Sequence, residues 1–301
     1  MNQKFKSHLA IIGSNIIWGL NYVIAKGIMP DFLLPRAIIF LRVSGTLVLF
    51  WILHFSFPME KVEPRDLLRM ALCSVFGVAV NQILFFEGLN LTTPINASII
   101  MTITPMLILI FSRFMLKEMI TYLKVFGIIL GAAGALMIIL AAGAGDFRLN
   151  MFLGNFMILM NAASWALYLV LVKPLMKKYS SPTIMKWIFF FGFIIVFPFT
   201  FRITASSSFS QIPFHIWMSV LFVIFITTGV AYYLNNYSLK TISPNANGIY
   251  IYLQPLVASL VAMMMGQDKP MVIHFIAAVL IMAGVYLITQ RPKLKTLKNI
   301  K

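Results

Sequence analysis

Ten apolar runs of about 18–23 residues follow one another along this chain, at 9–26, 37–55, 70–90, 95–115, 122–142, 152–173, 184–203, 214–235, 246–265 and 271–289. At a rise of 1.5 Å per residue, each is long enough to cross a hydrocarbon layer of about 30 Å as a helix. Breakers and charges mark the gaps: Pro30 with Asp31, Glu60 to Asp66, Asp146 with Arg148, Lys177 with Lys178, and Ser206 to Ser208. Between the third and fourth runs there is only Leu91 to Pro94. The first run does not read as a cleaved signal peptide, because nine further spans follow it. The sequence therefore predicts an all-α integral membrane protein with ten transmembrane helices.

Composition agrees. Hydrophobic residues make up 60% of the 301 and charged residues 11%, with a mean hydropathy of +0.92. Soluble domains sit near ~45–50% apolar even with glycine counted, so a soluble enzyme is excluded. The net charge of +16 suggests nucleic acid at first sight. That reading needs basic residues gathered on a face, whereas here they occupy short gaps between apolar runs, as cytoplasmic loops do. With the N-terminus inside, 18 of the 24 Lys and Arg lie on the cytoplasmic side; five (Lys26, Arg36, Arg148, Arg202, Lys269) lie opposite, and Arg42 lies within a span. Both termini are expected in the cytoplasm, with residues 291–301 a basic tail. The lone cysteine, Cys73, excludes a disulfide framework.

The chain repeats internally. An offset of 150 aligns Pro94 with Pro244, Pro105 with Pro255, Glu118 with Asp268 and Gly134 with Gly284. At the first and sixth runs an offset of 147 aligns Trp18 with Trp165 and Lys26 with Lys173. Residues 1–146 and 147–290 are thus two five-helix units. Five is odd, so equivalent helices cross the membrane in opposite directions. Inverted repeats of this kind build secondary transporters, which bind substrate near the midplane between two halves.

Trp18-Gly19-Leu20-Asn21-Tyr22 through Lys26, Phe40-Leu41-Arg42, and the stretch from Phe86-Glu87-Gly88-Leu89 through Thr92-Thr93-Pro94, Ala97-Ser98 and Pro105 to Lys117-Glu118 carry a family likeness. Trp165 to Lys173, Pro244 to Pro255 and Gly284-Val285-Tyr286-Leu287 repeat it weakly in the second half. In these residues the chain resembles the drug/metabolite transporter superfamily, specifically its EamA-type ten-helix transporters. The resemblance implies two five-helix halves around a central cavity that moves small metabolites or drugs. After the ninth run the chain departs from the family's usual Gly-Glu, reading Gly266-Gln267-Asp268.

Unpaired polar groups are costly in hydrocarbon, so polar side chains within spans face the protein interior or a wet cavity. Helical spacing shows which ones share a face. Ser14, Trp18 and Asn21 fall at i, i+4 and i+7 of the first run, with Tyr22 beside them. In the sixth, Asn161, Ser164, Trp165 and Tyr168 fall at i, i+3, i+4 and i+7. The same polar-aromatic stripe appears twice, as a two-fold cavity requires; the competing reading is hydrogen bonding between helices. Asn247, Tyr250 and Gln254 form a stripe on the ninth run, and Ser98, Thr102 and Pro105 one on the fourth. Pro105 and Pro255 sit mid-span, where each removes a donor and bends its helix. Tyr232, with Thr228 and Asn235, completes the substrate-binding candidates.

Glu87 is the single acid read as lying inside a span. It is a candidate for proton coupling or for pairing a substrate amine, or else a structural partner of Arg42 or Lys26. Arg42, about a turn into its span, reads first as an anchor reaching the interface and second as a substrate ligand. Gly127 and Gly131 form a G-x-x-x-G that lets helices approach closely, either inside the chain or across a homodimer.

Neither a metal site nor a nucleotide-binding loop is present in the sequence patterns, and no cofactor is expected. The expected function is secondary active transport, in the exporting direction, of small organic metabolites such as amino acids or drugs across the inner membrane. The expected partners are a small-molecule substrate and the lipid bilayer. A membrane-embedded enzyme acting on lipid or isoprenoid substrates is the alternative, and a channel a third reading.

Overall fold

The computed structural model describes residues 3–54, 60–116, 122–141, 149–269 and 271–289. Each of the ten runs falls on a helical element. α1 is Gln3–Ile28 and α2 Pro35–His54. α3 spans Pro64–Leu91 with a π-helical segment at Val75–Ala79. α4 comes in two pieces, Pro94–Met101 and Thr104–Leu116, and α5 is Tyr122–Ala141. α6 is Leu149–Val172 and α7 Ser181–Ala205. α8 spans Phe214–Ser238 with a π segment at Phe222–Val230. α9 is Pro244–Ile249, one 3-10 turn at Tyr250–Tyr252, and Leu253–Met264; α10 is Val272–Thr289. Eight of these helices are long and apolar enough to cross a membrane; α5 and α10, at 20 and 18 residues, lie side by side. Lys117 with Glu118, the junction near residue 146 and the tail 291–301 lie outside the described residues.

Local chemistry sets the helix starts. Proline opens α3, α4 and α9, where its missing N–H has no helical partner to lose. The Thr93 hydroxyl accepts from the Asn96 N–H, and the Ser243 hydroxyl accepts from the Ala246 N–H. These two caps are repeat mates at the offset of 150. Before Pro105, Thr102 and Ile103 break α4, and the Met101 carbonyl that loses its proline donor is taken by the Thr104 hydroxyl at 2.5 Å.

Packing follows the repeat. α1 lies against α8 and α9, and its mate α6 lies against α3 and α4. α2 pairs with its own mate α7, and α5 with α10. Each half thus places its first helix against the third and fourth helices of the other. The glycine stripe of α5 is filled within the chain: a Cβ on Gly284 of α10 would come within 2.5 Å of the Gly127 carbonyl and 2.9 Å of the Gly131 nitrogen.

On the face carrying the N-terminus, Glu60 accepts from the Ser180 backbone N–H and hydroxyl, both at 2.9 Å, at the start of α7. Burial works to raise its carboxyl, but hydrogen bonds from Thr183 and Ser180 outweigh that and hold it below its ordinary value. A depressed folded-state value adds stability above the unfolded value, and that stability is lost as pH falls through the folded one. Glu60→Gln is therefore expected to destabilise the protein at pH 7 by on the order of 0.5 kcal/mol, a value reduced by solvent screening. Thermal melts should show the deficit closing below about pH 4; an equal deficit at pH 3 and pH 7 contradicts the assignment.

Candidate functional site

Where α1, α6 and α8 converge between the halves, Trp18, Trp165 and Tyr232 meet ring to ring. Trp18 and Trp165 stand edge-on with centroids 5.2 Å apart, Trp18 and Tyr232 at 5.8 Å, and Trp165 and Tyr232 at 5.3 Å. They border a cavity of about 50 Å³ that Asn21 and Tyr22 of α1, Asn161 of α6 and Gln254 of α9 also line. Seven sequence candidates therefore come together: Trp18, Asn21, Tyr22, Asn161, Trp165, Tyr232 and Gln254. A void of this size holds a few waters.

The two π segments shape this site. Val75–Ala79 in α3 and Phe222–Val230 in α8 begin 147 residues apart, so they are repeat mates. A π turn shifts the i→i−4 ladder and leaves carbonyls available to other helices, a feature frequent at functional sites. Ser164 of α6 donates to the Phe76 carbonyl at 2.7 Å, and Trp18 of α1 donates its indole N–H to the Thr227 carbonyl at 3.1 Å. Tyr232 donates to the Gly77 carbonyl at 3.1 Å and accepts from Gln82 Nε2 at 2.9 Å. Trp18 and Tyr232 are thus held by backbone groups that an uninterrupted α-helix would use internally.

Five lining residues lie beyond the sequence candidates: Arg42 of α2, Asn81, Gln82 and Phe85 of α3, and Met101 of α4. Arg42 corrects an expectation. It stands seven residues into α2 and is 3% exposed, lining the cavity instead of reaching the interface. Its Nε donates to Thr228 Oγ1 at 2.5 Å, and its guanidinium lies 4.8 Å from the Phe86 ring centroid.

The remaining candidates are elsewhere. Ser14, Ser98 and Thr102 are buried and donate to carbonyls of their own helices, Ile11, Ile95 and Ile99. Tyr168 backs Trp165 at 4.9 Å and donates to Asn236 Oδ1 at 2.9 Å. Tyr250 bonds His8 Nδ1 at 2.6 Å and Asn247 donates to Ser238 at 2.8 Å, both toward the N-terminal face. Glu87 is not among the cavity-lining residues. Its partner is Arg36 at 2.8 Å, in place of the expected Arg42 or Lys26, and the side chains are 23% and 49% exposed. Among the described residues, no group of three His, Cys, Asp or Glu could hold a metal ion.

Repeat-related lysines tie the helices together on opposite sides of the cavity. Lys26 donates to the Leu89 and Asn90 carbonyls, at 3.0 and 2.8 Å, where α3 turns into α4. Lys173 donates to the Leu239 and Ile242 carbonyls where α8 turns into α9, the latter at 2.9 Å. Lysine near carbonyls at a helix C-terminus meets the negative end of the helix dipole. The N-terminal side carries two further cross-links, Thr241 to Ser7 and Tyr250 to His8.

Among the described residues, ten helices in two exchanged halves, with a polar-aromatic cavity between them, define a membrane protein of the inverted-repeat kind. The EamA-like transporter family model matches residues 5–140 and 152–290, and the chain belongs to that family. It is similar to the uncharacterized transporters YyaM and YetK of Bacillus subtilis (strain 168): 25% identical with 92% of each chain covered, and 26% identical with 95% of this chain and 85% of YetK covered. An uncharacterized transporter of Archaeoglobus fulgidus is 23% identical over 95% of this chain and 98% of its own length. A protein of known crystal structure shares the fold, with a TM-score of 0.65 at 19% identity over 94% of this chain and 96% of the other. Family and relatives place the chain among transporters and not enzymes, which removes the lipid-enzyme alternative.

Proposed function

We propose that this chain is a secondary active carrier that exports small organic metabolites, such as amino acids or drugs, by alternating access at the central cavity. The observation that carries the reading is the meeting of repeat mates Trp18 and Trp165 at one cavity between the halves. Latches from Lys26 and Lys173 on opposite sides support two gates that open in turn. The excess of Lys and Arg in alternate gaps supports an inner-membrane orientation with both termini cytoplasmic. Flux in reconstituted vesicles tests this: it should saturate at low turnover. Unsaturable flux, as through a channel, contradicts it.

Glu87, the candidate for proton coupling, is held in an ion pair with Arg36. A half-exposed pair with Arg36 contributes at most about 1 kcal/mol and stands apart from the cavity. Glu87→Gln is expected to keep flux within about twofold of wild type, with and without a pH gradient. A loss confined to gradient-driven flux would restore Glu87 as the carrier.

A further inference from the structure

We infer that Arg42 is the recognition residue for a carboxylate on the transported molecule, which makes this a carrier for substrates with a monoanionic head. The inference rests on the transport reading of the same cavity and names its substrate class.

A guanidinium inside a membrane span is expensive unless paired. Arg36 pairs with Glu87 and Lys178 with Glu63 and Asp66, and Arg42 has no ion-pair partner among the described residues. Its hydrogen-bonding partner is neutral, the Thr228 hydroxyl, which spends its own proton on the Val223 carbonyl at 2.9 Å and so presents a lone pair to Nε. That contact and the Phe86 ring set the plane of the guanidinium. The two terminal nitrogens are left without a partner among the described residues. A planar fork held in this way matches the two oxygens of a carboxylate.

The surroundings define what stands beside that carboxylate. Asn21 Oδ1 and Gln82 Oε1 are buried acceptors with no partner among the described residues, on residues 3% and 2% exposed that line the same cavity. Gln82 directs its amide nitrogen to Tyr232, which leaves the oxygen for a ligand donor. Leaving a buried acceptor unsatisfied is costly, and an N–H or ammonium group of the substrate would offset that cost. Trp18, Trp165 and Tyr232 offer apolar surface for the remainder. One cation with no second cation in the lining fits one negative charge and disfavours a doubly charged phosphate.

Thermal stabilisation of the detergent-purified protein tests this with matched probes: amino acids, their amides, their decarboxylated amines and their deaminated acids. Ligands that bind the native state raise its melting temperature. Probes with a free carboxylate should stabilise the wild type at concentrations at least tenfold below those of matched amides and amines. Arg42→Gln should abolish that preference, and Arg42→Lys should retain it in weakened form. Stabilisation by amines or amides equal to that by acids, stabilisation by no carboxylate probe, or an acid preference that survives Arg42→Gln overturns the inference; the first two need no variant to fold. Trp165→Ala separates the two levels. Binding that depends on Trp165 but ignores the carboxylate sinks this inference alone, whereas binding indifferent to Trp165 sinks the cavity reading as well.

Discussion

Trp165→Ala, and separately Trp18→Ala, should lower vesicle flux at least tenfold while leaving a folded protein. Trp165 contacts Trp18, Tyr168 and Tyr232 with ring centroids 5.2, 4.9 and 5.3 Å apart. Aromatic pairs of this kind contribute roughly 0.5–1.5 kcal/mol each beyond their buried area. Losing three at Trp165, or two at Trp18 together with its indole bond to the Thr227 carbonyl, exceeds the 1.4 kcal/mol that corresponds to a factor of about ten. The rings also bridge the halves, so their removal frees α1, α6 and α8 to settle without a defined site. Trp51 is the control: it is 36% exposed, away from the cavity lining, and Trp51→Ala should keep flux within about twofold. Flux unaffected in both Trp18→Ala and Trp165→Ala rules out the cavity assignment.

Gly77→Ala should be nearly as damaging, although it adds one methyl group. A Cβ at Gly77 would lie 2.4 Å from Cδ2 and 2.8 Å from Cγ of Tyr168. These atoms are close to the ring's root, and Tyr168 is fully buried with its hydroxyl bonded to Asn236, so the ring has no free direction to move in. Overpacking of this kind costs about 1–3 kcal/mol. Here the displaced ring supports Trp165, and the Gly77 carbonyl accepts from Tyr232. The expected result is a lowered melting temperature and at least a tenfold loss of flux. Tyr168→Leu in the same chain should recover part of the stability, because the clash leaves with the ring. A Gly77→Ala protein with wild-type stability and flux would show that the close approach is not required.

The ten helices were readable because length and hydropathy alone decide what crosses a bilayer, and the repeat was readable because prolines and tryptophans recur in register. Helical spacing also identified the faces of α1, α6 and α9 that meet. Spacing reports face, however, and not depth. Tyr250 and Gln254 both turn toward α1, yet Gln254 reaches Asn15 and Tyr22 beside the cavity while Tyr250 stops lower, at His8. Depth also explains Arg42 and Glu87. α2 begins at Pro35, which carries Arg42 deeper than the apolar run suggests. α3 ends at Leu91, which leaves Glu87 one turn from the end and within reach of Arg36. Asn81, Gln82 and Phe85 were hidden for another reason. They follow a π segment that changes the register of α3, and no periodicity computed at 3.6 residues per turn can follow them across it.

Alternating exposure of the cavity is the central claim, and the chain's one cysteine makes it directly measurable. Cys73 is fully buried and can be replaced by alanine, after which Asn161→Cys introduces a lone thiol into the lining. A charged, membrane-impermeant thiol reagent is then applied to vesicles of each orientation, with and without a transported substrate. The cavity reading predicts that the thiol is labelled from either face and that substrate slows labelling from both. Labelling from one face alone under every condition, or equal labelling from both faces that substrate leaves unchanged, would contradict it.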